Sequence, residues 1–186
     1  VAWVSQGYSM QLDGVKSAYD IATTKGKIRP NIISLDGWAG SQRYCGIWTG
    51  DQYGGEWEYI RFHIPTYLGM ALSGIPNLGS DMDGIFGGSP IIATRDYQWK
   101  SFSPLMLNMD GWGTYAKMPY VFGDPYTGLN RMYMKIKAQM LPYIYTGAAS
   151  GSNIDTGNGD TGIPLVRAMF LEYPNDSYAN SKAVQY

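Results

Sequence analysis

One cysteine and one histidine in 186 residues leave little material for two common kinds of site. A single thiol, Cys45, excludes an internal disulfide framework and any thiolate metal cluster; set between Tyr44 and Gly46, it reads as a small buried residue. The one histidine, His63, lies inside "RFHIP" on a helical pattern, where packing is a stronger reading than catalysis. Charge is also scarce: 14 Lys and Arg against 15 Asp and Glu leave a formal net charge of -1, with no basic field to attract a phosphate backbone, so no nucleic-acid partner is expected. No stretch approaches the ~20 apolar residues of a membrane span. No His/Asp/Glu cluster has metal-ligand spacing and no glycine-rich phosphate fingerprint opens a helix, so neither metal nor cofactor is expected.

What is abundant is aromatic and small: 16 Tyr, 6 Trp and 24 Gly, with only 16% charged residues. Aromatic rings with a hydrogen-bonding edge suit the C–H faces and hydroxyl edges of sugars, and they equally suit a large core. Composition leaves both readings open.

Along the chain, short apolar runs alternate with helical patterns. Gly14–Thr24 reads as a helix after the Asp13-Gly14 turn, and Asn31–Leu35 as a buried strand. Arg43–Trp48 is a second strand candidate. Glu56–Ser73 follows as a helix despite Pro65, with Trp57, Ile60, His63/Ile64, Tyr67/Leu68 and Ala71/Leu72 at three- and four-residue spacing. Ile75–Leu78 is strand-like and runs into "GSDMDGIFGG". Thr94–Phe102 and a long segment from Leu129 to Tyr145 read as helices, 147–162 as a polar glycine-rich loop, and Ile163–Phe170 as another helix or strand. This order predicts an α/β fold with a parallel sheet, either a β/α barrel or a doubly wound sheet. In a barrel, chemistry sits at the C-terminal ends of the strands. Asp51 follows one strand there, and Asp81 and Asp83 follow the next. About four βα units are visible where a closed barrel needs eight, so the chain reads as a piece of something longer or one half of an assembled pair.

The string "GWAGSQRYCGIWTGDQYGGEWEYIRFHIPTYLGMALSGIPNLGSDMDGIFGG" resembles the central segment of glycoside hydrolase family 31, a family of retaining α-glycosidases. The family pattern runs A-G-x-x-R-Y-x-x-x-W-x-G-D, then W-x-x-(I/L)-R-x-x-I-P, then (S/F)-G-x-P-x-x-G-x-D, in that order. The likeness continues through "TRDYQWKSFSP", "LPYIY" and "GIPLVRAMFLEYPND", so it covers nearly the whole chain. It implies that 1–186 is a partial catalytic domain, roughly the later four βα units of a (β/α)8 TIM barrel. It also implies that Asp51 is the general acid/base. A retaining glycosidase needs such an acid, and an apolar rim such as Trp48 and Tyr53 would raise its pKa. On the residues alone, an N-cap for the helix that follows is the other reading of Asp51. The resemblance further implies Trp48 as a sugar-stacking wall and Asp81 as a carboxylate holding the site. Arg43 either lines the site beside Asp51 or braces the barrel.

No match to the family's nucleophile motif, W-x-D-x-x-E, occurs in this sequence. The resemblance makes Val1–Val4 the tail of the nucleophile strand or the residues just after it, and places the nucleophile aspartate upstream of Val1; the fragment alone is then not expected to turn over substrate. Two departures bear on the sugar. Members acting on glucosides carry an arginine where Leu35 stands and a histidine where Met109 stands, both of which clamp sugar hydroxyls. "NMDGWGTYAK" offers Asp110 and Trp112 instead, a pattern resembling a branch that acts on α-galactosides or α-N-acetylgalactosaminides. The expected partner is an oligosaccharide or glycan substrate, the expected setting secreted or extracellular. The rival readings are an inactive carbohydrate-binding remnant and an α-glucosyltransferase of the same family.

Overall fold

The computed structural model describes residues 9–111, 116–152 and 162–182. Helix α1 (Ser9–Asp20) ends in a π-helical turn, Ile21–Lys25, and leads to strand β1 (Ile33–Ser34). A 3₁₀ turn, Ser41–Arg43, precedes β2 (Gly46–Trp48). Helix α2 (Trp57–Leu72), β3 (Leu78–Gly79) and α3 (Pro90–Lys100) follow. Helices α4 (Tyr126–Gln139), α5 (Leu141–Ser152) and the short α6 (Met169–Glu172) complete the order. No described helix is long and apolar enough to cross a membrane.

The sheet is parallel, ordered β1-β2-β3, with Ile33 opposite Gly46 and Ile47 opposite Leu78. A parallel bridge from Asp81 to Leu107 adds a fourth strand position beside β3. Neighbours in sequence are neighbours in the sheet, the order a (β/α)8 barrel requires, and these four positions form one arc of it.

Pleating divides the arc into two faces. Ile47 and Leu78 point outward into a core with Val15 of α1, Tyr67 of α2, Cys45 and Ile75. Cys45 is therefore a packing residue, and burial pushes its thiol up to about 11. Gly46 and Gly79 lie on the other, inner face, where a Cβ would stand 2.5 Å from Leu105 Cδ1 and 2.8 Å from Leu105 Cβ; the second contact, with an atom that no rotamer change removes, requires glycine at position 79. At β1 this inner face is open, with Ile33 40% and Leu35 55% exposed, as an arc cut from a closed barrel must leave it.

Several boundaries differ from the sequence pattern. The buried face of α2 is Tyr59, His63, Tyr67 and Ala71, so the helix is rotated from the predicted stripe and Trp57 is exposed. The predicted strand Arg43–Trp48 begins only at Gly46, because the Ser41–Arg43 turn takes up its first residues. The segment predicted as one helix from Leu129 to Tyr145 is two, α4 and α5. Helix α5 continues through Gly147–Ser152, so the predicted polar loop starts later; 153–161 lie outside the described residues, as do Val1–Tyr8.

Candidate functional site

Four consecutive strand positions end on one rim. Leu35 follows β1, Asp51 follows β2, Asp81 follows β3, and Met109 and Asp110 follow the Leu107 position. Leu35 reaches across to β2, its Cδ1 2.6 Å from where a Gly50 Cβ would be, so it lies directly beside the residue before Asp51. Asp51 is exposed. It does not cap the following helix: Glu56 holds the N-cap of α2, five residues later.

Trp48 and Asp81 share the inner face, and the Trp48 indole Nε1 donates to Asp81 Oδ2 at 3.2 Å. Asp81 is 1% exposed, and its Oδ1 is buried without a hydrogen-bond partner among the described residues. Burial is the main force on its carboxyl, raising it to about 6 from the ordinary 3.8; the Trp48 hydrogen bond opposes this, and the charge of Asp51 adds a further upward push. Asp51 and Asp81 therefore sense one another across the rim.

The backbone that carries these groups is held from below by two buried lysines. Lys100 Nζ contacts Asp96 Oδ2 at 2.5 Å, donates to the Asp81 carbonyl at 2.8 Å and to the Tyr59 hydroxyl at 3.2 Å. Burial lowers it to about 8 and raises its partner Asp96. Lys117 donates to the carbonyls of Met82 and Gly84. Asp83, in the left-handed region at φ 55°, accepts from the N–H groups of Gly55, Gly88 and Ser89 at 2.6 to 2.8 Å and so ties the loop after Asp51 to the loop after β3. On the β2 side, Thr49 Oγ1 lies 3.1 Å from His63 Nε2, and His63 Nδ1 lies 2.7 Å from the Tyr59 carbonyl. A carbonyl only accepts, so Nδ1 carries the proton and Nε2 accepts from Thr49. With burial lowering it to about 4, His63 is a neutral brace beneath the strand that ends in Asp51.

Of the sequence candidates, Asp51, Trp48 and Asp81 converge, and Asp110 stands on the same rim, near enough to act on the charge of Lys117. Arg43 ends the Ser41–Arg43 turn that precedes β2, at the other end of that strand from Asp51. Trp112 lies outside the described residues. Sequence reading missed Lys100, Lys117 and Thr49. Asp96 and Lys100 at i and i+4 are the signal that was present, and nothing local distinguishes that pair from an exposed one.

Asp81 gives a pH prediction. A carboxyl whose folded pKa lies above its unfolded value contributes stability below about pH 4 and loses it as the pH rises through about 6. Asp81→Asn, which keeps an acceptor for Trp48, is expected to flatten the stability profile across that window. The gain at pH 7.5 should be of order 3 kcal/mol, for a shift of roughly two units. Urea denaturation at pH 4.5 and 7.5 checks it, and equal slopes for parent and variant would contradict the assignment.

The family model described as Glycosyl hydrolases family 31 TIM-barrel domain matches residues 4–147. A probable glucan 1,3-alpha-glucosidase of Oryza sativa subsp. japonica is 35% identical over 162 residues, covering 86% of this chain and 17% of that protein. Neutral alpha-glucosidase C of Mus musculus is 32% identical over 157 residues, covering 84% and 17%. The crystal structure of the family 31 alpha-glucosidase from Bacteroides thetaiotaomicron superposes with a TM-score of 0.79 at 27% identity, covering 95% of this chain and 28% of that one. The chain thus spans about a sixth of the length of these curated relatives. On the matched domain and the shared arc of strands, the chain belongs to glycoside hydrolase family 31 and forms part of that family's barrel.

Proposed function

We propose that residues 1–186 are one partial catalytic domain of a retaining α-glycosidase and that Asp51 is its general acid/base. The observation that carries this reading is the convergence of Asp51 with the bonded pair Trp48 and Asp81 at the ends of adjacent parallel strands. In this role Asp51 gives its proton to the glycosidic oxygen as the bond to the anomeric carbon breaks, while a second carboxylate attacks that carbon from the opposite face. The resulting ionised Asp51 then takes a proton from water, which releases the sugar with its configuration retained. The attacking carboxylate is not assigned within this sequence, which lacks the W-x-D-x-x-E pattern. Trp48 forms a wall for the sugar, and Asp81, whose Oδ1 has no hydrogen-bond partner among the described residues, is the carboxylate that holds the site.

The relatives named glucan 1,3-alpha-glucosidase and neutral alpha-glucosidase C support an α-glucoside as the substrate, and the expectation of a galacto-configured sugar gains no support from them. Against plain glucose stands Leu35, exposed on the rim beside Gly50 where glucoside-acting members carry arginine, with Met109 in the place of their histidine. The full-length polypeptide, assayed on aryl α-glucoside, α-galactoside and α-N-acetylgalactosaminide, decides the substrate. If glucose is disfavoured through these positions, Leu35→Arg with Met109→His raises the glucoside to galactoside ratio of kcat/KM by tenfold or more, since unpaired sugar hydroxyls regain donors. An unmoved ratio would separate these residues from sugar choice. Binding without turnover on all three substrates favours the carbohydrate-binding reading, or a transferase that lacks its acceptor.

A further inference from the structure

Tyr53 stands two residues beyond Asp51 and is 85% exposed. It packs on Phe86 with centroids 5.4 Å apart and planes tilted by 38°. Phe86 is seated in turn over Gly111, where a Cβ would lie 2.4 Å from the ring. Three successive rim loops, after β2, β3 and the Leu107 position, thus meet in one small aromatic stack. Their backbones are locked together: the N–H groups of Ile85 and Phe86 both reach the Gln52 carbonyl at 3.0 and 3.5 Å, and Gly111 N–H donates to the Ile85 carbonyl at 2.6 Å. Gly54 allows no side chain at all, since its Cβ would fall 1.7 Å from the Asp83 carbonyl oxygen. The loops that carry Tyr53 and Phe86 are thus tied together, which presents the Tyr53 ring on a fixed backbone.

The position follows from the chemistry of the neighbour. A general acid must reach the glycosidic oxygen, and that oxygen departs with the leaving group. The leaving group therefore lies on the Asp51 side of the bond, and the residues just past Asp51 on the outer rim face it. Resting on the acid/base reading of Asp51, we propose that Tyr53, backed by Phe86, is the stacking platform for a sugar leaving group, so that the enzyme is built for a pyranose aglycone rather than a small alkyl or aryl one. The groove continuing beyond Tyr53, about 470 Å³ and bordered by Gly54, Glu56, Tyr59 and Phe62, gives room for a further sugar unit. The same face receives the acceptor when a sugar hydroxyl instead of water resolves the covalent intermediate, so Tyr53 also sets the share of transglycosylation.

The test uses the full-length polypeptide with Tyr53→Ala and Tyr53→Trp. It compares kcat/KM for an α-linked disaccharide with that for the α-glycosyl fluoride of the same sugar, which leaves as fluoride and has nothing to stack. Tyr53→Ala should lower the disaccharide to fluoride ratio about tenfold, and Tyr53→Trp should restore most of it. In an Asp51→Asn background, calorimetry of the disaccharide and of its non-reducing monosaccharide should show the Kd ratio shrinking by a similar factor with Tyr53→Ala. If no substrate is turned over, the glycosidase reading fails, and a Tyr53-dependent Kd ratio still upholds the platform. A disaccharide to fluoride ratio or Kd ratio within twofold of the parent overturns it, whatever the activity.

Discussion

Asp51→Ala in the full-length polypeptide is expected to reduce kcat/KM for an α-linked disaccharide by about 10²- to 10⁴-fold, the range over which a positioned acid accelerates departure of a poor leaving group. Asp51 is exposed at the end of β2, so alanine there removes no packing, and the fold should persist. The loss should be far smaller for the glycosyl fluoride, which departs without a proton. That contrast is the diagnostic, because a residue with a purely structural role would depress both substrates alike. Added azide should accelerate turnover of the fluoride by attacking the covalent intermediate without a base, giving a glycosyl azide of retained configuration. Equal losses on both substrates, with no azide effect, would move the acid/base role away from Asp51.

Lys100→Met is expected to cost about 3 to 5 kcal/mol, the largest stability effect of any single side chain considered, because it leaves the fully buried Asp96 carboxylate without its cation. The Asp81 carbonyl loses a donor at the same time, so the loop that positions Asp81 loosens along with the fold. Asp96 is already pushed upward by burial, and without Lys100 the opposing pull disappears. The sign follows: a carboxyl that is easier to protonate when folded destabilises the native state above its folded pKa, so part of the loss returns on acidification. Adding Asp96→Asn removes the stranded charge, and the double variant should be more stable than Lys100→Met alone. Urea unfolding of the four members of this cycle, at pH 5 and pH 8, measures the coupling directly. Additive losses would mean that the pair is not coupled as its 2.5 Å contact implies.

The same buried pair marks where sequence reading stopped. Asp96 and Lys100 at i and i+4 are an ordinary helical ion pair until α3 is laid against the Tyr59 side of α2 and under the Asp81 loop, where both become fully buried. His63 was read as a packing residue and is one. Its bond to Thr49, which makes it a support for the Asp51 strand, needs two segments fourteen residues apart to meet.

The parallel arc, the family and the candidates Asp51, Trp48 and Asp81 were legible in the chain itself. Short apolar runs between turn signals fix strands, and an ordered set of motifs at fixed spacing survives without any knowledge of three-dimensional contact. The tertiary structure alone decided that Trp48 bonds Asp81, that Lys100 and Lys117 carry the rim from beneath, and that Tyr53 and Phe86 form one stack. These pairs come from different loops, and they meet only because pleating turns alternate residues to the same face and close backbone approach at Gly54, Gly79 and Gly111 lets the loops touch.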